Sequence, residues 1–211
     1  MQIKTSGLGK RFNYEWIFRN FSYEFSPEKA YAILGHNGSG KSTLLNILSG
    51  YLSTSEGTLS HSINGKPIEV DHLFRQLSFT APYLELIEEF TLTELLSYHM
   101  HFRQMLTKDK EDLIDRLYLQ KAKHKFVKDF SSGMKQRLKL GLAIYTDAPL
   151  LLLDEPTTNL DQEGIDWYLE HVNQNRKQKL VIVSSNIEHE YSFCDELIRI
   201  TDYHYSPANR S

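Results

Sequence analysis

An apolar run that leads directly into a glycine-rich loop restricts the possible fold of this chain more than any other feature. The run covers residues 30–34, Ala-Tyr-Ala-Ile-Leu, and has the near-continuous apolar character of a strand buried in a parallel sheet. The loop, residues 35–42, is Gly-His-Asn-Gly-Ser-Gly-Lys-Ser and matches the pattern Gly-x-x-x-x-Gly-Lys-Ser/Thr. Residues 42–49 then have helical spacing, which ends at Gly50. This succession of strand, loop and helix predicts an α/β fold.

The chemistry of the loop favours a bound nucleoside triphosphate. Its glycines let successive backbone N–H groups point at phosphates, and the following helix adds the positive end of its dipole. Lys41 supplies a full positive charge to the β- and γ-phosphates, and the Ser42 hydroxyl is a hard oxygen ligand for Mg²⁺. A purely structural glycine turn is the alternative. The predicted nucleotide-binding residues of the loop are Gly35, Asn37, Gly38, Ser39, Gly40, Lys41, Ser42 and Thr43.

A second buried strand ends in two carboxylates. Residues 150–153 are four leucines, and Asp154 and Glu155 follow at the carboxyl end of the strand, where open α/β sheets place their ligands. We expect Asp154 to hold a hydrated Mg²⁺ ion and Glu155 to polarise the attacking water as a general base. The alternative is that Asp-Glu-Pro merely ends a strand. After a phosphate-binding loop, the pair predicts hydrolysis of the bound triphosphate.

The composition agrees with one cytoplasmic domain. The 211 residues carry 24 Lys and Arg against 27 Asp and Glu, and a net charge of −3 gives no field that would attract nucleic acid. No apolar run approaches the roughly 18 residues of a membrane span, and the N-terminus lacks the apolar segment of a signal peptide. The single cysteine excludes an internal disulfide and fits a reducing compartment. We expect no nucleic-acid partner and no direct membrane insertion.

Local signals organise the remaining segments. The stretch 91–128 has helix formers, interleaved charges and no strand signal, and Thr91 and Glu94 have the spacing of a capping box. It is therefore interpreted as a helical insertion. Further predicted elements are strands at 21–25 and 180–183, a hairpin at 57–66 with an Asn64–Gly65 turn, a polar helix around 165–175 and a frayed tail at 206–211.

A further motif lies at the start of an amphipathic helix. The Ser131 and Ser132 hydroxyls and the free N–H groups there can receive a phosphate, although an ordinary serine N-cap is the alternative. Residues 130–137, Phe-Ser-Ser-Gly-Met-Lys-Gln-Arg, resemble the signature segment of ATP-binding cassette (ABC) ATPases, usually Leu-Ser-Gly-Gly-Gln-x-Gln-Arg. Residues 156–161, Pro-Thr-Thr-Asn-Leu-Asp, look like the D-loop of that family. The order and spacing of the motifs match over nearly the whole chain.

The resemblance implies a fold and a division of the chain. The fold would be that of a P-loop NTPase, with a RecA-like mixed sheet core, an antiparallel β-subdomain and an inserted helical subdomain. The single ABC ATPase domain would be divided into a nucleotide-binding core at 1–85 and 131–205, a helical subdomain at 86–130 and a tail at 206–211.

The resemblance also implies an assembly. The active unit would be a head-to-tail pair of cassettes, expected to be a homodimer, with two ATP molecules at the interface. Ser131, Ser132 and Gly133 would contact the γ-phosphate of ATP held by the opposite subunit, and Asp161 would organise the interface. Phe12 falls where the family stacks an aromatic ring on adenine, with Tyr14 and Trp16 as competitors. A membrane-spanning permease in a separate chain would hold the cassette at the inner face of the membrane, and the wording of the signature is similar to exporter-type cassettes.

Two positions depart from the family pattern. Where the family has a Gln that touches Mg²⁺, after the strand matched by 77–80, this chain has Ala-Pro-Tyr. Glu85, Glu88, Glu89 or water could substitute, and we expect a shallower dependence on Mg²⁺ than usual. Where the family has a switch His, this chain has Asn186, which can donate a hydrogen bond to phosphate but carries no titratable proton. We therefore expect slow turnover.

His189 lies three residues after Asn186 and is interpreted as a solvated helix residue. The apolar and acidic segment 83–90 lies where related cassettes receive a short helix of the membrane partner, with internal packing as its alternative.

Other functions have less support. A soluble ABC ATPase of repair or translation would be expected to have a coiled-coil insertion, tandem cassettes or a basic face. A small nucleotide kinase does not explain the signature. A soluble ATP switch with weak hydrolysis and no transport role stays open, because both the Gln and the His are missing.

Overall fold

The computed structural model describes residues 1–204; the predicted tail at 206–211 lies outside the described residues. The chain alternates strands and helices in the order expected for an α/β protein. The strands are β1 (Gln2–Phe12), β2 (Glu15–Phe25), β3 (Ala30–Leu34), β4 (Glu56–Ile63), β5 (Lys66–Pro67), β6 (Leu77–Thr80), β7 (Leu150–Asp154), β8 (Leu180–Ser185) and β9 (Glu196–Arg199). The helices are α1 (Lys41–Leu48), α2 (Val70–Leu73), α3 (Leu92–Phe102), α4 (Lys110–Arg116), α5 (Ser132–Tyr145) and α6 (Gln162–Asn175), with short 3₁₀ helices at Gln120–Ala122, Val127–Asp129, Glu188–Tyr191 and Ile200–Tyr203.

A parallel sheet forms the centre of the molecule. Its strand order is β6-β7-β8-β3-β9, and every neighbouring pair is parallel. The four leucines of β7 are fully buried because alternate side chains enter two different hydrophobic clusters, Leu150 and Leu152 on one face and Leu151 and Leu153 on the other. A strand covered on both faces needs this continuous apolar run.

A separate antiparallel sheet has the order β2-β1-β4-β5. The β4–β5 hairpin turns at Asn64 and Gly65, whose φ angles of 51° and 76° are those of a type I′ turn. The hairpin predicted from the Asn-Gly pair is therefore confirmed. Strand β2 begins at Glu15, six residues before the predicted strand at 21–25, because it pairs with β1 along its whole length.

The segment between the sheet strands β6 and β7 is helical, as predicted. Helix α3 begins with the predicted capping box, in which Thr91 Oγ1 accepts from the Glu94 N–H and the Glu94 carboxylate accepts from the Thr91 N–H. Helix α5 packs closely against the end of α4, so that a Cβ added to Gly141 would lie 2.0 Å from Leu117 Cδ2. Within residues 1–204, no helix combines the length and apolar character needed to cross a bilayer.

Candidate functional site

Three adjacent strands bring the predicted chemical groups to one edge of the parallel sheet. Strands β7, β8 and β3 are neighbours, and their carboxyl ends lead into Asp154 and Glu155, into Asn186 and into the loop that precedes α1. Parallel strands place all these segments at the same edge. The fold therefore assembles side chains that are far apart in the sequence.

The glycine-rich loop has the backbone geometry that its sequence predicts. Gly38 and Gly40 have φ angles of 79° and 95°, in the left-handed region, and a Cβ on Gly40 would lie 2.5 Å from Ile17 Cγ2. Helix α1 begins directly at Lys41. The buried Lys41 side chain folds back over the loop, where Nζ donates to Gly35 O at 2.8 Å and to His36 O at 3.3 Å. A full positive charge thus lies over the loop at the N-terminus of a helix, an arrangement suited to phosphate.

Asp154 has the properties of a cation ligand. Its side chain is buried, and Oδ1 has no hydrogen-bond partner. Burial raises the pKa of Asp154, while the nearby Ser42 hydroxyl and Lys41 ammonium act in the opposite direction. The Ser184 hydroxyl, on the strand residue paired with Asp154, also acts to lower the pKa of Asp154. A buried carboxylate oxygen without a donor, beside the Ser42 hydroxyl, fits a hard cation such as Mg²⁺.

Glu155 has a left-handed backbone, which is uncommon for a residue other than glycine. Its φ angle is 43°, and its N–H donates to Ser184 O at 2.9 Å, which ties it to the end of β8. Such a conformation costs on the order of 1 kcal/mol and persists only where the surrounding structure holds it. The backbone turns sharply at the predicted general base.

Asn186 is exposed next to the glycine-rich loop. Its Nδ2 atom lies 3.5 Å from Asn37 Oδ1. The structure therefore brings the predicted phosphate donor to the loop across two neighbouring strands.

The sequence predicts that His189 is a solvated helix residue, and the structure confirms the helix but not the solvation. It lies half-buried on the 3₁₀ helix Glu188–Tyr191, and its Nε2 atom is 3.1 Å from Thr157 Oγ1. The prediction was wrong because this contact comes from tertiary packing against the segment after β7. Sequence reasoning likewise missed Thr157 and Glu190, which bond to each other in the interior.

The signature residues line a pocket that lies away from the glycine-rich loop. Ser131 is the N-cap of α5, and its Oγ accepts from the Met134 N–H at 3.2 Å, so the serine N-cap interpretation holds for this residue. Asp161 caps α6 through the Gly164 N–H at 2.9 Å. The pocket has a volume of about 590 Å³ and is lined by Tyr118, Leu119, Gln120, Lys121, Ala122, Ser131, Ser132, Gly133, Met134, Arg137, Asn159, Leu160 and Asp161. It contains two cations, Lys121 and Arg137, but none of the residues of the glycine-rich loop.

Exposed aromatic side chains lie on the β1–β2 hairpin, which contacts the loop. Phe12 is 48% exposed, and Lys10 Nζ lies 5.0 Å from its ring centroid. The contact of Ile17 with Gly40 brings this hairpin to the loop. Tyr14 is more exposed, whereas Trp16 is half-buried with the Arg19 guanidinium 4.2 Å from its ring. The rings of Phe12 and Tyr14 are therefore more accessible for stacking than the ring of Trp16.

A second groove runs between the sheet and the helical segment. Its volume is about 750 Å³, and its lining includes Tyr51, Phe74, Tyr83 and Leu84, all exposed. Lys139 Nζ fixes the segment by donating to the carbonyls of Pro82 and Leu84. Within the segment 83–90, Leu86 and Phe90 pack on the core, while Tyr83, Leu84 and Ile87 face solvent. Internal packing is thus confirmed for Leu86 and Phe90, and the exposed side chains leave docking of a partner as a prediction.

Known proteins are similar to this chain in sequence. A family model described as ABC transporter matches residues 18–158. The uncharacterized ABC transporter ATP-binding protein YybJ of Bacillus subtilis is 30% identical over 197 residues, which cover 92% of this chain and 89% of that protein. The Nod factor export ATP-binding protein I of Rhizobium leguminosarum bv. viciae is 30% identical over 202 residues, which cover 92% of this chain and 65% of that protein.

Solved structures agree with this fold. A putative ABC transporter ATP-binding protein from Pyrococcus furiosus has a TM-score of 0.82 at 20% identity and covers 97% of this chain and 100% of its own. The dimeric structure of a bacterial ABC transporter cassette has a TM-score of 0.78 at 20% identity and covers 94% and 95%. The predicted fold class is confirmed.

Proposed function

Because the chain belongs to the ABC transporter family, we propose that it binds and hydrolyses ATP as the motor subunit of a transporter whose permease is a separate chain. The observation that carries the proposal is the sheet edge where Lys41, Asp154, Glu155 and Asn186 meet. Each of these groups is suited to one chemical task. The arrangement combines phosphate binding, cation binding and activation of water.

The site divides the work of hydrolysis among its side chains. The loop N–H groups and the Lys41 ammonium bind the phosphates, and Phe12 stacks on the base. Ser42 and Asp154 would hold Mg²⁺, which when bound neutralises charge that develops on the phosphate oxygens. Glu155 accepts the proton of the attacking water, and Asn186 donates an amide hydrogen bond to the γ-phosphate. Since Asn186 cannot exchange a proton near neutral pH, turnover is slow.

Two chains complete each site in this proposal. Ser131, Ser132, Gly133 and Asp161 lie in a pocket apart from the loop of the same chain, which supports a head-to-tail homodimer in which each signature faces the partner's ATP. Helix α5 would offer its N-terminal N–H groups and dipole to the γ-phosphate. One of the solved structures with this fold is a dimeric cassette.

The permease would dock in the groove between the sheet and the helical subdomain, residues 86–130. Exposed Tyr83, Leu84 and Phe74 give this groove the aromatic and aliphatic anchors that receive an apolar helix face. The chain would then sit on the cytoplasmic side of the membrane without entering it. Relatives carry the names of both export and import subunits, as in Nod factor export and ribose import.

Glu155→Gln tests the hydrolytic role. The amide keeps the shape of the side chain but is not a base, so we expect kcat to fall at least about a hundredfold, the usual share of a general base. ATP affinity should stay at the wild-type value, and gel filtration with ATP should show a trapped dimer. Glu170→Gln, on the exposed face of α6, is the matched control and should keep the wild-type rate.

A soluble ATP switch is the second candidate, favoured by Asn186 and by the Ala-Pro-Tyr segment at 81–83. Affinity purification of the tagged chain from host membranes, with single-turnover hydrolysis measured on the same sample, separates the two. A co-purifying multispan protein and turnover support the transporter motor. ATP-dependent dimerisation without turnover and without a membrane partner supports the switch.

A further inference from the structure

A buried carboxylate lies behind the proposed catalytic groups. Glu190, on the 3₁₀ helix Glu188–Tyr191, is 1% exposed. Its Oε1 atom accepts from the Thr157 N–H at 2.8 Å and from Thr157 Oγ1 at 2.5 Å, and its Oε2 atom accepts from Ser185 Oγ. Within residues 1–204, no Lys, Arg or His forms an ion pair with it. A buried carboxylate without a cation is costly unless donors surround it, so these three hydrogen bonds hold it in place.

The three hydrogen bonds join the two segments that contain the proposed catalytic residues Glu155 and Asn186. Thr157 comes two residues after Glu155, and Ser185 comes directly before Asn186. One carboxylate therefore connects the segment of the water-activating group with the segment of the phosphate donor. The Glu155 N–H bond to Ser184 O is a second link between the same segments.

Tyr168 and His189 extend the hydrogen-bond network around Glu190. The buried Tyr168 hydroxyl donates to Glu190 O at 2.9 Å, which fixes the 3₁₀ helix on α6. Since the Thr157 hydroxyl donates to Glu190, its oxygen is free to accept from His189 Nε2 at 3.1 Å. The carboxylate thus lies in a network of protein hydrogen bonds.

We propose that Glu190 is a positioning residue that keeps Glu155 and Asn186 in fixed register around the γ-phosphate. The inference rests on the ATP hydrolysis proposed above. The left-handed backbone of Glu155 needs surroundings that hold it, and Thr157 is the nearby residue that the network anchors. Displacements of about 1 Å at such groups cost up to about a hundredfold in rate, so a rigid connection matters for chemistry more than for binding.

Glu190→Gln tests the proposal. The amide nitrogen cannot accept, so the Thr157 or the Ser185 hydroxyl must turn around, and one charge-assisted hydrogen bond to the carboxylate is lost. We expect kcat to fall about tenfold to a hundredfold, while KM for ATP stays unchanged. Glu188→Gln, exposed two residues earlier, is the matched control and should leave both constants unchanged. A wild-type kcat in Glu190→Gln, or a rise in KM that accounts for the whole loss, would overturn the proposal.

Thr157 provides a test by rescue. Thr157→Ser keeps the hydroxyl and should retain the wild-type kcat, whereas Thr157→Val keeps the shape and should lose rate as Glu190→Gln does. Thermal unfolding of each variant shows whether it is folded. Equal rate losses in the Ser and Val variants would contradict a role for the hydrogen bond.

Amide exchange separates this inference from the proposed function. In the wild type we expect a protected Thr157 N–H, and in Glu190→Leu, which removes both acceptor oxygens, an exchange about tenfold faster, with strand β7 unchanged. A wild type without turnover would refute the proposed hydrolysis but leave this measurement decisive for the network. Unchanged exchange at Thr157 in Glu190→Leu would refute the network itself.

Discussion

Asn186 sets the chemistry available at the end of β8. Its amide lies 3.5 Å from Asn37 Oδ1, so a ring at this position would also reach the loop. We predict that Asn186→His raises kcat roughly tenfold, because an imidazole adds a group that can exchange protons near neutral pH. The rate should also acquire a pH dependence in the range where histidine titrates.

The measurement is steady-state ATP hydrolysis as a function of pH. Asn173→His, on the exposed surface of α6, is the control for the added histidine and should leave the rate unchanged. An unchanged rate in Asn186→His would remove this residue from the mechanism.

Individual residues were predictable where a local pattern specifies them. Lys41, Asp154 and Glu155 follow from short motifs next to apolar strands, and the structure brings them to one edge. Glu190 and Thr157 could not be found in this way, because their contact depends on how β7 and β8 pair. A buried acidic residue has no local sequence signal that separates it from an exposed one.

At the level of elements, the capping box determines where helix α3 begins. Thr91 Oγ1 accepts from the Glu94 N–H, and the hydrogen bonds of Thr91 lower the pKa of Glu94. We predict that Thr91→Ala lowers the free energy of unfolding by about 1 kcal/mol, the usual value of a lost N-cap. ATP affinity should not change, since the cap lies outside the loop.

Urea unfolding checks this, with Thr91→Ser as the control that keeps the hydroxyl and the stability. Equal stability of the Ala variant would show that tertiary packing alone holds α3.

Elements with local signals were predicted well. The Asn-Gly turn and the capping box depend on residues only a few positions apart. The start of β2 and the partial burial of His189 were not predicted, because pairing with β1 and packing on Thr157 determine them. Tertiary contacts overrode local preference at both places.

At the level of the whole molecule, the signature lines a pocket that contains no residue of the glycine-rich loop. If two chains build each site, the specific rate of hydrolysis should fall on dilution as dimers dissociate. A covalent tandem of two copies is the control and should keep its specific rate, because its effective concentration does not change. A specific rate that is constant on dilution for the single chain would favour a site complete in one copy.

The topology also bears on synthesis. Strand β3, which leads into the glycine-rich loop, lies between β8 and β9, and both follow it by most of the described chain. Its backbone groups therefore stay unpaired in the sheet until the ribosome has made those late strands, and closing so long a loop is slow. We therefore expect the glycine-rich loop to reach its final shape only after β8 and β9 have been made, so that the proposed ATP binding would come late in folding. During translation the apolar run at 30–34 is exposed, and chaperones would be expected to protect it.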